Sequence, residues 1–592
     1  MKKIIFILVL IFLIPQSSFS LGVDGIIKER LGRQDIIDTV SGILVYLDDN
    51  QVRNRPGKRM SVYDASDAGE GCRGKIELNL PLLQKTLRIP ALPPLKVRNV
   101  EGEWTSTVHF IPKKIGRKGK SIVAIPDSNL FVPSFVIYPF FLFREDSKIP
   151  VAERNICNML KYSWRLDERY KRGKAYNFWL PLVSDKNSTG PYNIPVDTAV
   201  MPLAKAYLNP KLRRFWEKTT KGLNVPTPSW VRECLDPVKN PSGASALFNI
   251  PCDSDDSSTA ISLQFIRRQL KNAYMDDPFF TDENNFHVDL EAFEEIMKYR
   301  DLNREDRFED GRDTWKGKNS GAFLTWLLDE TQPTFSNTEK GVIPLGKNNV
   351  DSVVNSNVLL SMGLLKKHRD GYKETVAVLN KAIMNKTWPA SGLYYPQFMI
   401  FPYTVTRSYR DGENHGLKPG MVFLLKELIN IQKDFAKKFP QFYGAFPGGE
   451  DRTLYTSTAL GITSLLNIGL ETAIEEGVEL EYKRAIKSAI DFLLATRKKA
   501  KIRNGETFNA ASGKKKIHGY RWDSGLFFSA SFWDLAHWRS DAFCNAMVLE
   551  AFSKYLLAYE YGGVTIKKGR RIHIMKYPEN MKSGVDFKIQ IK

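Results

Sequence analysis

From about residue 126 onward, polar clusters are repeatedly followed by small and apolar residues. Five segments share this form. Val132-Pro133-Ser134 leads into Phe135-Val136-Ile137, and the polar run 253–258 leads into Thr259-Ala260-Ile261. Asn348-Asn349-Val350-Asp351-Ser352 precedes Val353-Val354, Asp451-Arg452-Thr453 precedes Leu454, and Arg539-Ser540-Asp541 precedes Ala542-Phe543. Short polar side chains of Ser, Asp, Asn and Thr satisfy the free N–H groups of a first helical turn, so each segment predicts a helix start. The later starts recur about 90–100 residues apart. That interval holds two helix–loop–helix units of roughly 45–50 residues, and repetition at this period predicts stacked helical hairpins. Small residues in these helices permit close approach, which suits inner helices of a closed ring with their polar N-termini gathered at one end. The predicted fold class is mainly α: an α/α toroid, a double ring of helical hairpins, over residues 126–575.

Residues 21–125 read differently. Pro- and Gly-rich turns separate short β-like runs at 42–47 and 104–111, and Ile89-Pro90-Ala91-Leu92-Pro93-Pro94 reads as extended. An irregular, partly β N-terminal region packed on the helical one is expected, with residues 576–592 left as a C-terminal tail. Lys2 and Lys3, an apolar run over 4–14, Pro15 and then Ser18-Phe19-Ser20 have the layout of a signal peptide over residues 1–20. The chain is therefore expected to be secreted or periplasmic. No other stretch reaches the roughly 18 apolar residues of a membrane span. Export permits a Cys234–Cys252 disulfide, and five buried thiols are the other reading.

Composition narrows the function classes. The 592 residues carry 35 Phe, 23 Tyr and 11 Trp, enough to bury a large core and to exclude a disordered chain. Five Cys in this length exclude a disulfide scaffold. The net charge of +20 is spread along the chain, with basic runs at 113–120, 514–516 and 567–571. A basic surface attracts polyanions. For an exported chain these are an anionic membrane surface, touched peripherally, or an acidic polysaccharide; a plain solvated face is the other reading. No helix-turn-helix, finger or stacking platform is present, so nucleic acid is not an expected partner.

The segment Asp253-Ser254-Asp255-Asp256-Ser257-Ser258-Thr259-Ala260 resembles the Asp-x-Asp-Asp-Thr-Ala motif of class II terpene cyclases, the group of the squalene–hopene cyclases. The recurring helix starts are similar to those of the wider α/α-toroid superfamily. The resemblance implies a metal-independent cyclase that protonates a lipophilic polyene and guides a carbocation, with Asp255 as the acid and Asp253 and Asp256 tuning it. The residues allow this chemistry on their own terms, because carboxylates packed together cannot all ionise and one of them keeps its proton. They are equally a helix cap, and helix N-termini favour the ionised form. Aromatic faces would stabilise the cation; Tyr176, Phe178, Trp179, Trp326, Tyr394, Tyr395, Trp522, Trp533 and Trp538 are available.

Other constellations carry two readings each. Tyr176 and Trp179 form a cavity wall or a core cluster. Asp351 and Asn355, four apart on one helix face, bind substrate hydroxyls or form a packing seam. Arg407, among the hydroxyls of Tyr403, Thr404, Thr406 and Ser408, binds an anion or makes a structural ion pair. Asp451 would place a carboxylate at a cavity mouth, and with Asp255 it would supply the pair a glycosidase requires. A carbohydrate-active lyase or hydrolase on an (α/α) barrel is thus the alternative to the cyclase, and a non-catalytic binding toroid is the third reading. No cofactor is expected: the His are scattered, Gln264 stands where a calcium loop needs Glu, and P-loop and dinucleotide fingerprints are missing.

Overall fold

The computed structural model describes residues 33–53, 102–104, 106–110, 123–143, 153–179, 250–271, 278–281, 287–302, 315–316, 319–328, 348–397, 399–448, 454–500, 502, 518–523, 526–530, 536–560, 564–566 and 587–588. The leader, the three basic runs, Cys234, Asp451 and Trp533 lie outside the described residues. What is described is mainly α, with small antiparallel sheets.

The helices that matter here are α1 (Arg33–Asn50), α2 (Phe131–Ile137), α3 (Glu153–Tyr162), α4 (Ser254–Lys271), α5 (Leu290–Ile296), α6 (Ser352–Leu365), α7 (Tyr372–Met384), α8 (Ile400–Arg410), α9 (Lys418–Lys438), α10 (Leu454–Ile468), α11 (Glu479–Thr496) and α12 (Asp541–Tyr555). All five expected starts open helices. Asp351 is extended and its carboxylate accepts the Val353 and Val354 N–H groups, while Ser540 accepts from Phe543. These caps replace the intrahelical partners that a first turn lacks.

Burial sorts the helices into two kinds. Every described residue of α2, of α6 from Ser352 to Leu364, of α10 from Thr456 to Ile468 and of α12 from Ala542 to Tyr555 is buried. A helix buried on all faces has neighbours all round. By contrast, α9 buries only the stripe Gly420, Met421, Leu424, Leu425, Leu428, Ile429 and Gln432, and α11 the stripe from Tyr482 to Leu494 at the same spacing. The buried helices pack in order, α4 on α6, α6 on α8, α8 on α10 and α10 on α12. Helix α2 touches both α4 and α12, so the contacts form a closed cycle of six. Helices α5, α7, α9 and α11 pack against members of that cycle from outside it, and α1 packs on α12.

The N-terminal region departs from expectation. Residues 42–47, read as β-like, lie inside α1. The longer spacing explains it: Ile36, Ile37, Val40, Ile43, Leu44 and Leu47 are all buried and recur at three and four residues, a helical stripe that a six-residue window conceals. The run at 104–111 does form a strand, β1 (Ser106–Phe110). It pairs with β2 (Val123–Asp127) on one side. Two two-residue strands, β3 (Lys171–Arg172) and β4 (Ala175–Tyr176), make a hairpin, and β5 (Lys498–Ala500) pairs with β6 (Gly519–Arg521). The other neighbour of β1 comes from far along the chain. Strands β7 (Leu526–Ala530) and β8 (Ala536–Arg539) complete a sheet of order β2-β1-β8-β7, so the sheet spans the expected boundary at residue 125. No described helix is long and apolar enough to cross a membrane.

Candidate functional site

The acidic segment is pinned at the start of α4 from both sides. Asp253 N–H donates to Tyr176 O, and Ser254 donates by its N–H to Thr325 O and by its hydroxyl to Leu324 O, each at 2.7 Å. The segment is thereby held between the β3–β4 hairpin and residues 321–328. Asp253, Asp255 and Asp256 are only 3%, 5% and 3% exposed. Water cannot screen three carboxyls in such a place, so their ionisation is decided by their few partners.

Those partners differ. Both oxygens of Asp255 accept hydrogen bonds, Oδ1 from Asn357 at 2.6 Å and Oδ2 from the Tyr395 hydroxyl. Burial raises its pKa, while Tyr395, Asn357 and the nearby Arg407 charge pull it down. Asp253 Oδ1 accepts the Asp256 N–H at 2.6 Å, which makes it the cap of α4. Asp253 Oδ2 and Asp256 Oδ1 are buried with no donor directed at either. Burial, and then the neighbouring carboxylates, hold both groups above the ordinary range, Asp256 well above it. The two carboxyls satisfy each other only if a proton sits between them. Burial raises Asp255, the acid expected from the sequence, above its ordinary value as well, and the Asp253–Asp256 pair stands beside it as a second place where burial favours a retained proton.

Arg407 is buried, and its partners are internal. Its Nη2 donates to Asn357 Oδ1 at 2.7 Å and its Nη1 to the Tyr403 hydroxyl at 3.1 Å. The guanidinium lies 4.7, 4.4 and 4.9 Å from the ring centres of Phe135, Tyr138 and Tyr403. The polar chain continues across the contacting helices. Tyr403 donates to Glu550 at 2.7 Å, Glu550 pairs with Lys554 at 2.9 Å, and Lys554 reaches Asp411 at 3.1 Å and Asn467 at 2.7 Å. Tyr138, at the end of α2, donates to Asp411 at 2.6 Å. All six helices of the cycle, or the turns that end them, contribute to this network. A cation enclosed by aromatic faces is stabilised there, and in this chain the enclosed cation is arginine.

Six of the expected aromatic residues, with Phe528, gather on the sheet side of the acids. Phe178 stacks on Phe528 at 5.1 Å, and Trp538 meets Phe528 edge-on at 5.1 Å. Tyr394 and Tyr395 approach the same Phe528 at 6.2 and 5.8 Å. Trp179 lies 6.2 Å from Trp538, and Trp326 lies 5.7 Å from Tyr394. The layer thus runs unbroken from Trp179 to Tyr395, whose hydroxyl holds Asp255. At its far end Asp127 accepts the indole N–H of Trp179 at 3.0 Å and that of Trp538 at 2.8 Å. Ser106 and Asn129 also donate to Asp127, and burial pushes its carboxyl up to about 6.

The remaining expected residues are occupied elsewhere. The Tyr176 ring points away, its hydroxyl donating to Asp289 at 2.9 Å, although its backbone touches the acidic segment. Asp351 caps α6 and accepts Leu393 N–H, and Asn355 bonds Phe323 N–H and O at 2.9 Å each. Both therefore tie the start of α6 to the neighbouring loops at Phe323 and Leu393. Trp522 donates to Leu493 O within the helical core. Asp127, Asn357, Tyr403, Glu550, Lys554 and Phe528 were not named as site residues from sequence; Tyr403, among the hydroxyls around Arg407, and Asn357, near the start of α6, were the two with a local sign. No group of described residues is arranged to hold a metal ion. No protein-family model matches the chain, and no curated protein is similar to it.

Proposed function

We propose that this chain is a metal-independent acid–base enzyme on an α/α toroid, and that it isomerises a lipophilic polyene by protonating it. The observation that carries this reading is the buried carboxyl pair Asp253–Asp256 beside an anchored Asp255. Asp255 accepts on both oxygens, and the Arg407 charge beyond Asn357 works against the rise that burial imposes, so of the three it is the one best supported as an anion. Its negative charge keeps the proton on the adjacent pair, where desolvation already favours the neutral form. A carboxyl that keeps its proton near neutral pH is poised to act as a general acid.

The step balances without a co-reactant. An alkene carbon takes the Asp256 proton with its π electrons, and the adjacent carbon becomes cationic. The faces of Trp326, Tyr394 and Tyr395 lie on the sheet side to stabilise it. Loss of a proton from a neighbouring carbon to the carboxylate pair restores the acid and gives a product of unchanged mass. The closed cycle of all-round-buried helices supports the toroid. A sugar substrate fits less well, because the amides and hydroxyls nearby are already bonded to protein.

A second reading, a non-catalytic binding toroid, has its own support in Arg407, which fills an aromatic enclosure with a protein cation. One experiment separates the two. The full chain is incubated with linear polyprenyl hydrocarbons in detergent micelles made up in D2O. Catalysis yields isomers with one deuterium per turnover, and Asp256→Asn slows this by about 10²–10⁴-fold, the usual contribution of a general acid. Binding without isomers in the wild type supports the second reading. Undiminished turnover in Asp256→Asn excludes the first.

A further inference from the structure

The last turns of α9 and the turn after them supply none of the residues of the carboxyl site. From Ile431 to Gly448 the chain carries three lysines, Lys433, Lys437 and Lys438, and one acid, Asp434. All four are exposed. Nearer the start of the same helix the charges are matched: Lys418 pairs with Glu475 at 3.0 Å, Lys426 with Glu476 at 2.8 Å, and Glu427 with Lys386 at 3.0 Å. Among the described residues no acid lies within ion-pair distance of Lys433, Lys437 or Lys438. Lys437 and Lys438 complement the partial negative charge of the helix end, but that leaves the aromatic residues beside them unexplained. Phe442 and Tyr443 are 37% and 45% exposed, and they are the one adjacent pair among the large exposed apolar side chains of the described residues. Pro440 is exposed as well, and Phe435 and Phe439 are half-buried. Phe435 lies 5.1 Å from Phe439 and stacks on Phe442 at 6.3 Å, and the Lys438 ammonium lies 5.5 Å from the Phe439 ring centre. The turn holds the rings where they are. Phe442 N–H donates to Phe439 O at 2.9 Å and Tyr443 N–H to Pro440 O at 3.1 Å. Gly444, at φ +87°, accepts on its carbonyl from Gln432 Nε2 at 2.7 Å, and a Cβ built there would sit 2.2 Å from Ser488 O of α11.

An exposed aromatic pair beside unmatched lysines calls for a partner that is apolar at one depth and anionic at another. We propose that this end of α9 docks the protein on an anionic phospholipid bilayer. Phe442 and Tyr443 enter the headgroup region, where aromatic rings with or without a polar tip are favoured, and Lys433, Lys437 and Lys438 meet the lipid phosphates and carboxylates around them. Lysine stems lie along apolar surface while their ammonium groups reach the headgroups. Asp434 is the one opposing charge in the segment, so the patch keeps an excess of two positive charges. A second copy of this chain is a poor occupant, because it would set the same three lysines against their own kind. The net charge of +20 draws the whole chain toward an anionic surface before the rings engage. None of this depends on the carboxyl chemistry.

The test is cosedimentation of the full chain with vesicles of mixed phosphatidylserine and phosphatidylcholine, and with vesicles of phosphatidylcholine alone. Binding to the mixed vesicles is expected, weakening with salt, with little binding to the neutral ones. Exchanging Lys437→Gln and Lys438→Gln together lowers the partition coefficient by about fivefold for each lysine. Exchanging Phe442→Ser and Tyr443→Ser lowers it at least as far, since attachment scales with buried apolar area as well as with charge. Exchanging Lys418→Gln and Lys426→Gln removes equal charge nearer the start of α9 and lowers it less than about twofold, because charges there are screened from the patch. All these positions are exposed, and matching melting curves confirm that the variants fold. Absence of binding to the mixed vesicles overturns the proposal. So does an equal loss in the two lysine variants, full binding by the serine variant, stronger retention on polygalacturonate that depends on Lys437 and Lys438, or a self-association that the serine exchanges abolish.

Discussion

At the scale of single residues, the lesson of this chain lies in how one carboxylate differs from the next. Asp127, Asp253, Asp255, Asp256 and Asp351 are all buried, yet their roles follow from the number and kind of donors around each. Asp127 clamps two indoles, and it is the residue whose titration is easiest to observe. Its value of about 6 lies above the ordinary 3.8, raised by burial. Near pH 7.5 it is ionised and accepts both indole protons; below about 6 it takes up a proton and one of its acceptor positions weakens. A tryptophan fluorescence change with a midpoint near 6 is therefore expected, and Asp127→Asn abolishes the transition. The amide offers one acceptor and one donor, so one indole loses its partner, at a cost of about 1–3 kcal/mol. An unchanged fluorescence titration in Asp127→Asn would show that the clamp does not govern these rings.

At the scale of elements, close helix approach rests on small residues. Gly363 of α6 lies against the turn that follows α8; a Cβ built there would sit 1.9 Å from Gly412 O and 2.7 Å from Gly412 Cα. Backbone cannot swing aside as a side chain can, so α6 and that turn must separate. Gly363→Ala is expected to destabilise the protein by about 1–3 kcal/mol, the usual cost of overpacking. Urea unfolding measures this, and a neutral result would mean that the helices are less tightly held than their geometry shows. The helix starts were legible because capping is local chemistry, readable from Asp351 or Ser540 and the residues just after them. The joining of the β7–β8 hairpin to β1 was not, because β8's other partner lies some 400 residues earlier and nothing local records that pairing.

At the scale of the whole molecule, buried carboxyls reverse the usual pH dependence. Asp127 at about 6 and Asp351 at about 7 are both raised by burial from 3.8. Between pH 4 and those values the folded state keeps protons that the unfolded chain has released. Stability then falls as pH rises, by about 1.4 kcal/mol per pH unit for each such group. The pair Asp253–Asp256 acts in the same direction and extends the fall further. The melting temperature is expected to drop from pH 5 to pH 7.5, and less steeply in Asp351→Asn, where the amide still caps α6. A melting temperature that climbs over this range would mean that the carboxyls are ionised with adequate partners.

The sequence by itself determined the helical class, the positions of the five helix starts and the acidic segment as a place of interest, since each depends on neighbours within a few residues. Only the tertiary structure decided that Asp255 is clamped by Tyr395 and Asn357 while Asp253 and Asp256 are left to each other, and that an arginine stands among the aromatic rings. The clamps on Asp255 and the rings of Phe135 and Tyr138 at Arg407 come from about 100 to 270 residues away in the chain, and a carboxyl's charge is set by what folding brings within hydrogen-bond reach.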